Sequence, residues 1–469
     1  MLKREEFKIN VDPIINWIQS YFENIESFPV KSQVNPGEVL NALPDSPPQS
    51  PESIPEIMKD LDDIILPGIT HWQHPNYHAY FPANASIESL YAEMITSAIA
   101  AQCMIWETSP SAAELEQRMM EWLRSMLGLP NDMEGVIQDT ASTATLCAII
   151  SAREKSTNHK ANFEGVPQVL RVYCSSQTHS SIDKAVAIAG IGRNNLVKIK
   201  VDEKMSMDPK DLERCIILDL KSGYIPCCVV SAMGTTGTVA IDPIHDISRI
   251  CMKYNIWHHV DAAYAGTAMI LPEYQHLMKG VEDADSFVFN PHKWMFTHFD
   301  CSVYFVKDAS ALINAFEITP EYLKTETRGQ VNDYRDWGVQ LGRRFRALKL
   351  WFVIRTHGVE GIQSKLRKHI ELSTYFTSFI NQHIGLEHLT DPILNFNIFH
   401  VRESDDIEEC NRKTADLLDK INSTGKVFLS HTKVNGRYGI RVVIGQTYVE
   451  KAHIDLLINT IKTCLKGLS

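Results

Sequence analysis

A lysine stands in the stretch Asn290-Pro291-His292-Lys293-Trp294, just after the short apolar run Ser286–Phe289. A lysine that leaves a buried strand between an imidazole and an indole is poorly placed for a solvated surface role. Desolvation lowers an amine's pKa, and a neutral amine condenses with an aldehyde to a Schiff base. A side chain snorkelling to the surface is the plain alternative. Upstream, Asp261 closes the apolar run Ile256–Val260 and is followed by Ala262-Ala263-Tyr264-Ala265-Gly266. Ligands of α/β sheets bind at the carboxyl ends of strands, and small residues let a flat ring approach closely. A buried carboxylate needs a partner. A protonated ring nitrogen is one, and an ordinary helix-capping role is the alternative.

Two further segments have the same character. Thr140-Ala141-Ser142-Thr143 precedes a helical stretch starting near Ala144. Hydroxyls and free N–H groups at a helix start attract a phosphate, though they serve equally as a simple N-cap. Gln177-Thr178-His179-Ser180-Ser181 follows a strand candidate, so His179 is placed to stack on a planar group or to end a loop. Each segment alone admits a structural role. Together they supply a phosphate cradle, a stacking ring, an acid for a ring nitrogen and an imine-forming lysine, the parts a phosphorylated pyridine aldehyde needs.

Those residues need a frame. From about 133 to 310, apolar strand candidates alternate with helical stretches. The strands are 169–174, 227–233, 256–260 and 286–289, and one helix is 243–254. The pattern implies an α/β domain with a mostly parallel sheet covered on both faces. Ahead of it, Asp12 and Pro13 suit the start of an amphipathic helix carrying Ile14, Trp17, Ile18, Tyr21, Phe22 and Ile25. A connector with Pro44, Pro47, Pro48, Pro51 and Pro55 is expected to be extended and surface-lying. Ser111 to Glu114 reads as a capping box for a helix stopped by Gly128 and Pro130. After about 345, two long helical stretches lead to strands at 395–401, 426–432 and 438–444. Asn435-Gly436 reads as a tight hairpin turn, and a last helix covers about 450–465. The expected division is an N-terminal arm with connector at 1–85, a large domain at 86–345 and a small α/β domain at 346–469.

Composition narrows the partners. The chain has 469 residues, 44% hydrophobic and 22% charged, with a formal net charge of −11. That balance argues against nucleic acid, whose partners cluster Lys and Arg. The charged start, Met1 to Glu6, is unlike a secretory signal. The longest near-apolar run, about 97–106, is far shorter than the roughly 20 residues of a bilayer span. No membrane association is expected, and the location read from this is cytoplasmic. The ten cysteines contain no CxxC pair, so buried reduced thiols are expected rather than a metal site.

The sequence resembles the group II pyridoxal-phosphate decarboxylases over about 7–465, most closely the aromatic-L-amino-acid decarboxylases. The segments that carry the resemblance are HWQHPNYHAYFP (71–82), SPSAAELE (109–116), HVDAAYAGTA (259–268), NPHKW (290–294), FDCS (299–302) and LGRRFRALKLWF (341–352). The form VIQDTAST (136–143) is more like bacterial members. The resemblance implies pyridoxal transferase fold type I, pyridoxal 5'-phosphate as cofactor, and a homodimer with sites near the interface. It makes Lys293 the Schiff-base lysine, Asp261 the partner of the pyridine nitrogen and His179 the stacking ring. It puts Thr140, Ala141, Ser142 and Asn290 at the phosphate, with Thr236, Ala263 and His292 lining the cofactor. Trp72, Tyr80, Phe81 and Pro82 match the pocket for the substrate side chain.

Residues 324–337 match the family's mobile catalytic loop, so early tryptic cleavage is expected at Lys324, Arg328 or Arg335. Tyr334 falls where decarboxylases keep the tyrosine that returns a proton after CO2 leaves; relatives with Phe there tend towards aldehyde synthesis. Met104 stands where animal relatives place a pocket Phe, which leaves the substrate open. The expected reaction is decarboxylation of an aromatic L-amino acid to its amine and CO2. An acidic substrate would want an arginine, and 72–83 contains none. The alternatives are an aromatic aldehyde synthase, a decarboxylase of another amino acid, or a non-catalytic binding protein, against which the intact Lys293, Asp261 and His179 stand.

Overall fold

The structure is a computed structural model describing residues 4–166, 169–318, 329–402 and 404–467. The helices used below are, in chain order, α1 (Phe7–Glu23), α2 (Pro110–Leu127), α3 (Ala141–Ser156), α4 (Ser181–Ile188), α5 (Ile244–Tyr254), α6 (Ala347–Gln382), α7 (Ile407–Ser423) and α8 (Lys451–Lys466). The chain divides into two compact units, one of Ala83–Ile370 and one of Met1–Pro82 with Glu371–Ser469.

The Ala83–Ile370 unit is built on seven strands: β1 (Glu134–Gln138), β2 (Leu170–Ser175), β3 (Leu196–Ile199), β4 (Ile225–Ala232), β5 (Trp257–Asp261), β6 (Ser286–Phe289) and β7 (Ser302–Val306). Their order is β1-β7-β6-β5-β4-β2-β3. The pairs from β6 through β3 are parallel, while β7 runs antiparallel to both β6 and β1. The sheet is therefore mixed, with the expected parallel part at its centre. Side chains alternate between two cores, as strand geometry requires. Val172, Cys174, Cys228 and Val230 face the core shared with α3 and α4. Tyr173 and Val229 face the opposite core, with Leu212, Ile216, Ile247 and Cys251. Both faces are buried, so the strands read as continuous apolar runs.

The other unit carries a second, antiparallel sheet of β8 (Leu386–His388), β9 (Phe396–Val401), β10 (Ser430–Val434) and β11 (Arg437–Val443), in the order β10-β11-β9-β8. Leu417 and Ile421 of α7 and Leu457 and Ile461 of α8 pack with Phe399, Ile440 and Val442 of that sheet. Asn435 and Gly436 both have positive φ, 50° and 81°. That is the backbone a two-residue hairpin turn demands.

Several local expectations need correction. The first helix starts at Phe7, so Pro13 lies inside it and Asp12 does not cap it. No residue of α1 is buried, so water can reach the carbonyl that Pro13 leaves without a donor. The connector is irregular and exposed through Pro51, but Pro55 enters a short helix, Ile54–Asp60, with a capping box from Ser53 and Glu56. The helix expected to start at the Ser111–Glu114 capping box begins at Pro110 with Ser109 as N-cap, and no side chain caps it. Glu114 instead accepts the Trp106 indole N–H at 2.9 Å. Strands β1, β3, β7 and β8 carry no clear signal in the sequence, since they are short or contain polar residues. Of the two long stretches after 345, α6 is broken at Gly358, whose φ is 64°. Among the described residues, no helix is long and apolar enough to cross a membrane.

Candidate active site

The carboxyl ends of β5 and β6 are tied by a short hydrogen-bond chain. Asp261 Oδ1 accepts the Ala263 N–H at 3.1 Å, and the Ala263 carbonyl accepts the Asn290 N–H at 3.0 Å. The Asn290 carbonyl accepts the Lys293 N–H at 2.9 Å, on the short turn Pro291–Trp294. Asp261, Ala263, Asn290 and Lys293 are thus fixed to one edge of the sheet. The turn is anchored by Trp294, which is fully buried against Tyr264 at 5.3 Å and donates to His369 Nδ1 at 2.9 Å. Lys293 itself is only half-buried.

His179 shares this neighbourhood. Burial lowers its pKa, the Asp261 carboxylate pulls it back up, and the Lys293 ammonium pushes it down. Two charges can act on one ring only if all three groups are close. Its Nδ1 accepts the Ser181 backbone N–H at 3.2 Å and lies 2.8 Å from the Ser181 hydroxyl. The neutral ring therefore carries its proton on Nε2. His292 is buried, and its Nδ1 accepts the Cys301 N–H at 2.9 Å. Burial above all, with Lys293 adding to it, takes its pKa down to about 3, so it stays neutral at physiological pH.

The start of α3 is uncapped by any side chain. The Thr143 and Ala144 N–H groups bond back to the Thr140 carbonyl, while the first-turn N–H groups of Ala141 and Ser142 have no intrahelical partner and suit an anion. Thr140 is held by its N–H to Asp139 Oδ1 at 2.6 Å, and Asp139 Oδ2 accepts from Gln340 at 2.7 Å. Nearby, β1 pairs with β7 so that Gln138 faces Ser302, whose hydroxyl donates to Asn290 Oδ1 at 2.7 Å. That bond uses the Asn290 amide oxygen and leaves the amide nitrogen as the donor end. Asp139 and Ser302 are functional candidates that the sequence reading passed over. Both stood inside quoted motifs, but nothing local named their partners. Thr236 is exposed in the turn after β4.

Tyr334 lies in the short turn Tyr334–Trp337. It is 3% exposed and packs at 5.4 Å from Trp337. The Arg343 guanidinium lies 5.0 Å over its ring, and among the described residues its hydroxyl meets Asn332 at 3.5 Å. Burial raises the phenol's pKa. Arg335 is 5% exposed, and its N–H donates to the Met104 carbonyl at 2.9 Å, so tryptic cleavage there is disfavoured. Lys324 and Arg328 lie outside the described residues. Met104 is half-buried in this same unit.

In the other unit, Trp72 and Tyr80 stack at 6.1 Å, both substantially exposed. Phe81 and Pro82 follow, with Phe81 buried 6.5 Å from Phe396. Arg441 of β11 is 4% exposed and lies 5.4 Å over Phe81 and 5.1 Å over Phe396. The strip 72–83 has no arginine of its own, yet the fold sets one beside Phe81. No local pattern could have signalled it.

The donor set fits pyridoxal 5'-phosphate. An amine, a carboxylate and a neutral-capable imidazole share one neighbourhood, and an uncapped helix start with a spare amide supplies phosphate donors. The comparisons agree. Residues 36–402 match the model of the pyridoxal-dependent decarboxylase conserved domain. Tyrosine decarboxylase 2 of Narcissus pseudonarcissus is 41% identical over 463 residues, covering 96% of this chain and 92% of the relative. Phenylacetaldehyde synthase of Arabidopsis thaliana is 40% identical over 453 residues, covering 94% and 92%. A crystal structure of Oryza sativa TDC with PLP and tryptamine superposes with a TM-score of 0.97 at 32% identity, covering 100% of this chain and 99% of that one. The chain belongs to the pyridoxal-dependent decarboxylase family: it is a carboxy-lyase that uses pyridoxal 5'-phosphate.

Proposed function

We propose that the protein decarboxylates an aromatic L-amino acid to its amine and CO2, with Lys293, Asp261 and His179 at the centre of the site. The observation that carries this reading is the electrostatic grouping of those three side chains at the carboxyl ends of β2, β5 and β6. Bound there, pyridoxal 5'-phosphate would supply an electron sink for the pair released from the Cα–carboxylate bond. Lys293 would hold the cofactor through its aldehyde, and Asp261 would keep a proton on the ring nitrogen. His179, oriented by Ser181, would pack against the ring. Ala141, Ser142 and Asn290 would hold the phosphate, with Thr140 ordering that turn, and Thr236, Ala263 and His292 would complete the lining. Trp72, Tyr80, Phe81, Pro82 and Met104 select the side chain, and Tyr334 returns a proton to Cα. Since Tyr334 is packed under Arg343, that last role requires its release. Relatives named for tyrosine decarboxylation and for phenylacetaldehyde synthesis support an aromatic substrate.

The test is release of CO2 and amine from Trp, 5-hydroxytryptophan, DOPA, Tyr, Phe, His, Glu and Asp. Aromatic substrates are expected to turn over, and release from Glu or Asp alone would overturn the aromatic assignment and point to Arg441. A Met104→Phe variant run in parallel is expected to shift preference among the aromatic substrates. The second reading, aldehyde synthesis, is favoured by the phenylacetaldehyde synthase relative and opposed by Tyr334. Tyr334→Phe run on the same panel is expected to raise peroxide from a trace to a yield near that of CO2. Stability should hold, because among the described residues the lost hydroxyl makes one long contact. An unchanged product ratio would remove Tyr334 from the chemistry.

We also propose a homodimer. The helix α1 buries none of its residues, and Phe7, Ile9, Ile15 and Leu40 of the arm are exposed. Apolar surface of this kind on one segment calls for a covering partner. Light scattering should give twice the chain mass; a fully active monomer would end this assignment. All ten cysteines are free thiols, which accords with a cytoplasmic location.

A further inference from the structure

Cys174 and Lys198 are register partners across the parallel pair β2·β3, so their side chains leave the same face of the sheet. Lys198 Nζ lies 3.5 Å from Cys174 Sγ and 3.0 Å from Asp183 Oδ2 in the first turn of α4. Cys174 is fully buried, but β3 is the edge strand and Lys198 keeps 37% of its side chain in solvent. A small oxidant can therefore approach along the amine. Burial pushes the Cys174 thiol up, and the adjacent ammonium and the Thr178 hydroxyl pull against it. Cys215 also meets a cation, Arg214 at 3.5 Å, but a guanidinium offers no free amine for covalent chemistry.

We propose that Cys174 and Lys198 form an oxidative modification site, in which hydrogen peroxide joins Sγ to Nζ through one bridging oxygen. In the first step the sulfur attacks one peroxide oxygen. The S–O bond forms, the O–O bond breaks, and the thiol proton leaves with the second oxygen as water, giving a sulfenic acid. Lys198 then acts as the neutral amine, its extra proton passing to Asp183 or solvent. A second peroxide accepts the remaining electrons: the N–O bond forms, and the sulfenic hydrogen and one amine hydrogen leave in two waters. Sulfur and nitrogen each lose two electrons, and two peroxides yield three waters in all. An oxygen between the atoms spans most of the 3.5 Å separation, whereas a direct S–N bond would require the two strands to close up. The bridge removes the cation from Asp183 and so touches α4, whose Ser181 orients His179.

The test treats the holoenzyme with millimolar hydrogen peroxide and digests it with trypsin without reductant. The Cys174 and Lys198 peptides should be recovered joined, with the mass of their sum plus one oxygen less two hydrogens. Lys198 should resist cleavage, and dithiothreitol should restore both peptides. Lys198→Arg keeps the charge at an edge position; its joined species should vanish, with Cys174 going to sulfinic acid. The proposal is overturned if wild-type Cys174 stays a thiol or becomes sulfinic acid while Lys198 is still cut. A pair joined without the oxygen, or a joined species persisting in Lys198→Arg, overturns it equally.

Discussion

Lys293→Ala is expected to lower kcat by roughly 10⁴-fold, the upper end of what a positioned proton-transfer group contributes, since the same amine also anchors the cofactor. The protein should stay folded. Lys293 is half-buried, and the packing of its turn comes from Trp294 against Tyr264 and His369. The electrostatic consequence has a definite sign. The Lys293 ammonium pushes down the pKa of both His179 and His292. Removing it leaves burial and Lys184 alone to hold His179 down against the Asp261 carboxylate, so that residue should titrate at higher pH. Lys293→Arg is the matching control: the charge stays, the histidine titration stays, and activity is still lost because a guanidinium does not form the Schiff base. The assays are amine release, absorbance of the bound cofactor and histidine NMR. Activity within tenfold of wild type in Lys293→Ala would remove the residue from the chemistry.

Glu116→Ala is expected to destabilise the fold by about 3–5 kcal/mol, the usual cost of orphaning one member of a buried ion pair. Glu116 and Arg343 keep only 3% and 6% of their side chains exposed, at a separation of 2.6 Å. The same Glu116 oxygen accepts the Ile137 N–H at 2.9 Å, and the same Arg343 nitrogen donates to the Ile137 carbonyl at 2.8 Å. The pair thus clamps α2 and the segment carrying Tyr334 onto β1, which leads into α3. Replacing both residues together, Glu116→Leu with Arg343→Met, should recover much of the loss, because no uncompensated charge remains. Urea unfolding of the two single variants and the double variant measures this. A loss under about 1 kcal/mol in Glu116→Ala would mean that the pair is hydrated.

Much of the site was legible in the chain itself. Asp261 ends β5 and Asn290 follows β6, as their apolar runs indicated, because a buried strand declares its limits by where hydrophobicity stops. His179 and Lys293 could be placed for the same reason. The hairpin at Asn435-Gly436 was legible because only such residues readily take positive φ in succession. Less legible were helix starts, where Pro13 and Ser111 suggested caps that the backbone does not use.

By itself, then, the sequence determined which residues stand at strand ends and which chemistry their side chains can do, since both follow from local covalent and hydropathic pattern. Only the tertiary structure decided their partners. Gln340 reaches Asp139 across 201 residues, Arg343 reaches Glu116 across 227, and Arg441 comes to lie over Phe81. Such pairings depend on strand order, register and chain reversal, which set distance in space and leave no local periodicity to read. Tyr334 shows the same division: the family resemblance suggested a proton donor, and its burial beneath Arg343 was decided by the fold alone.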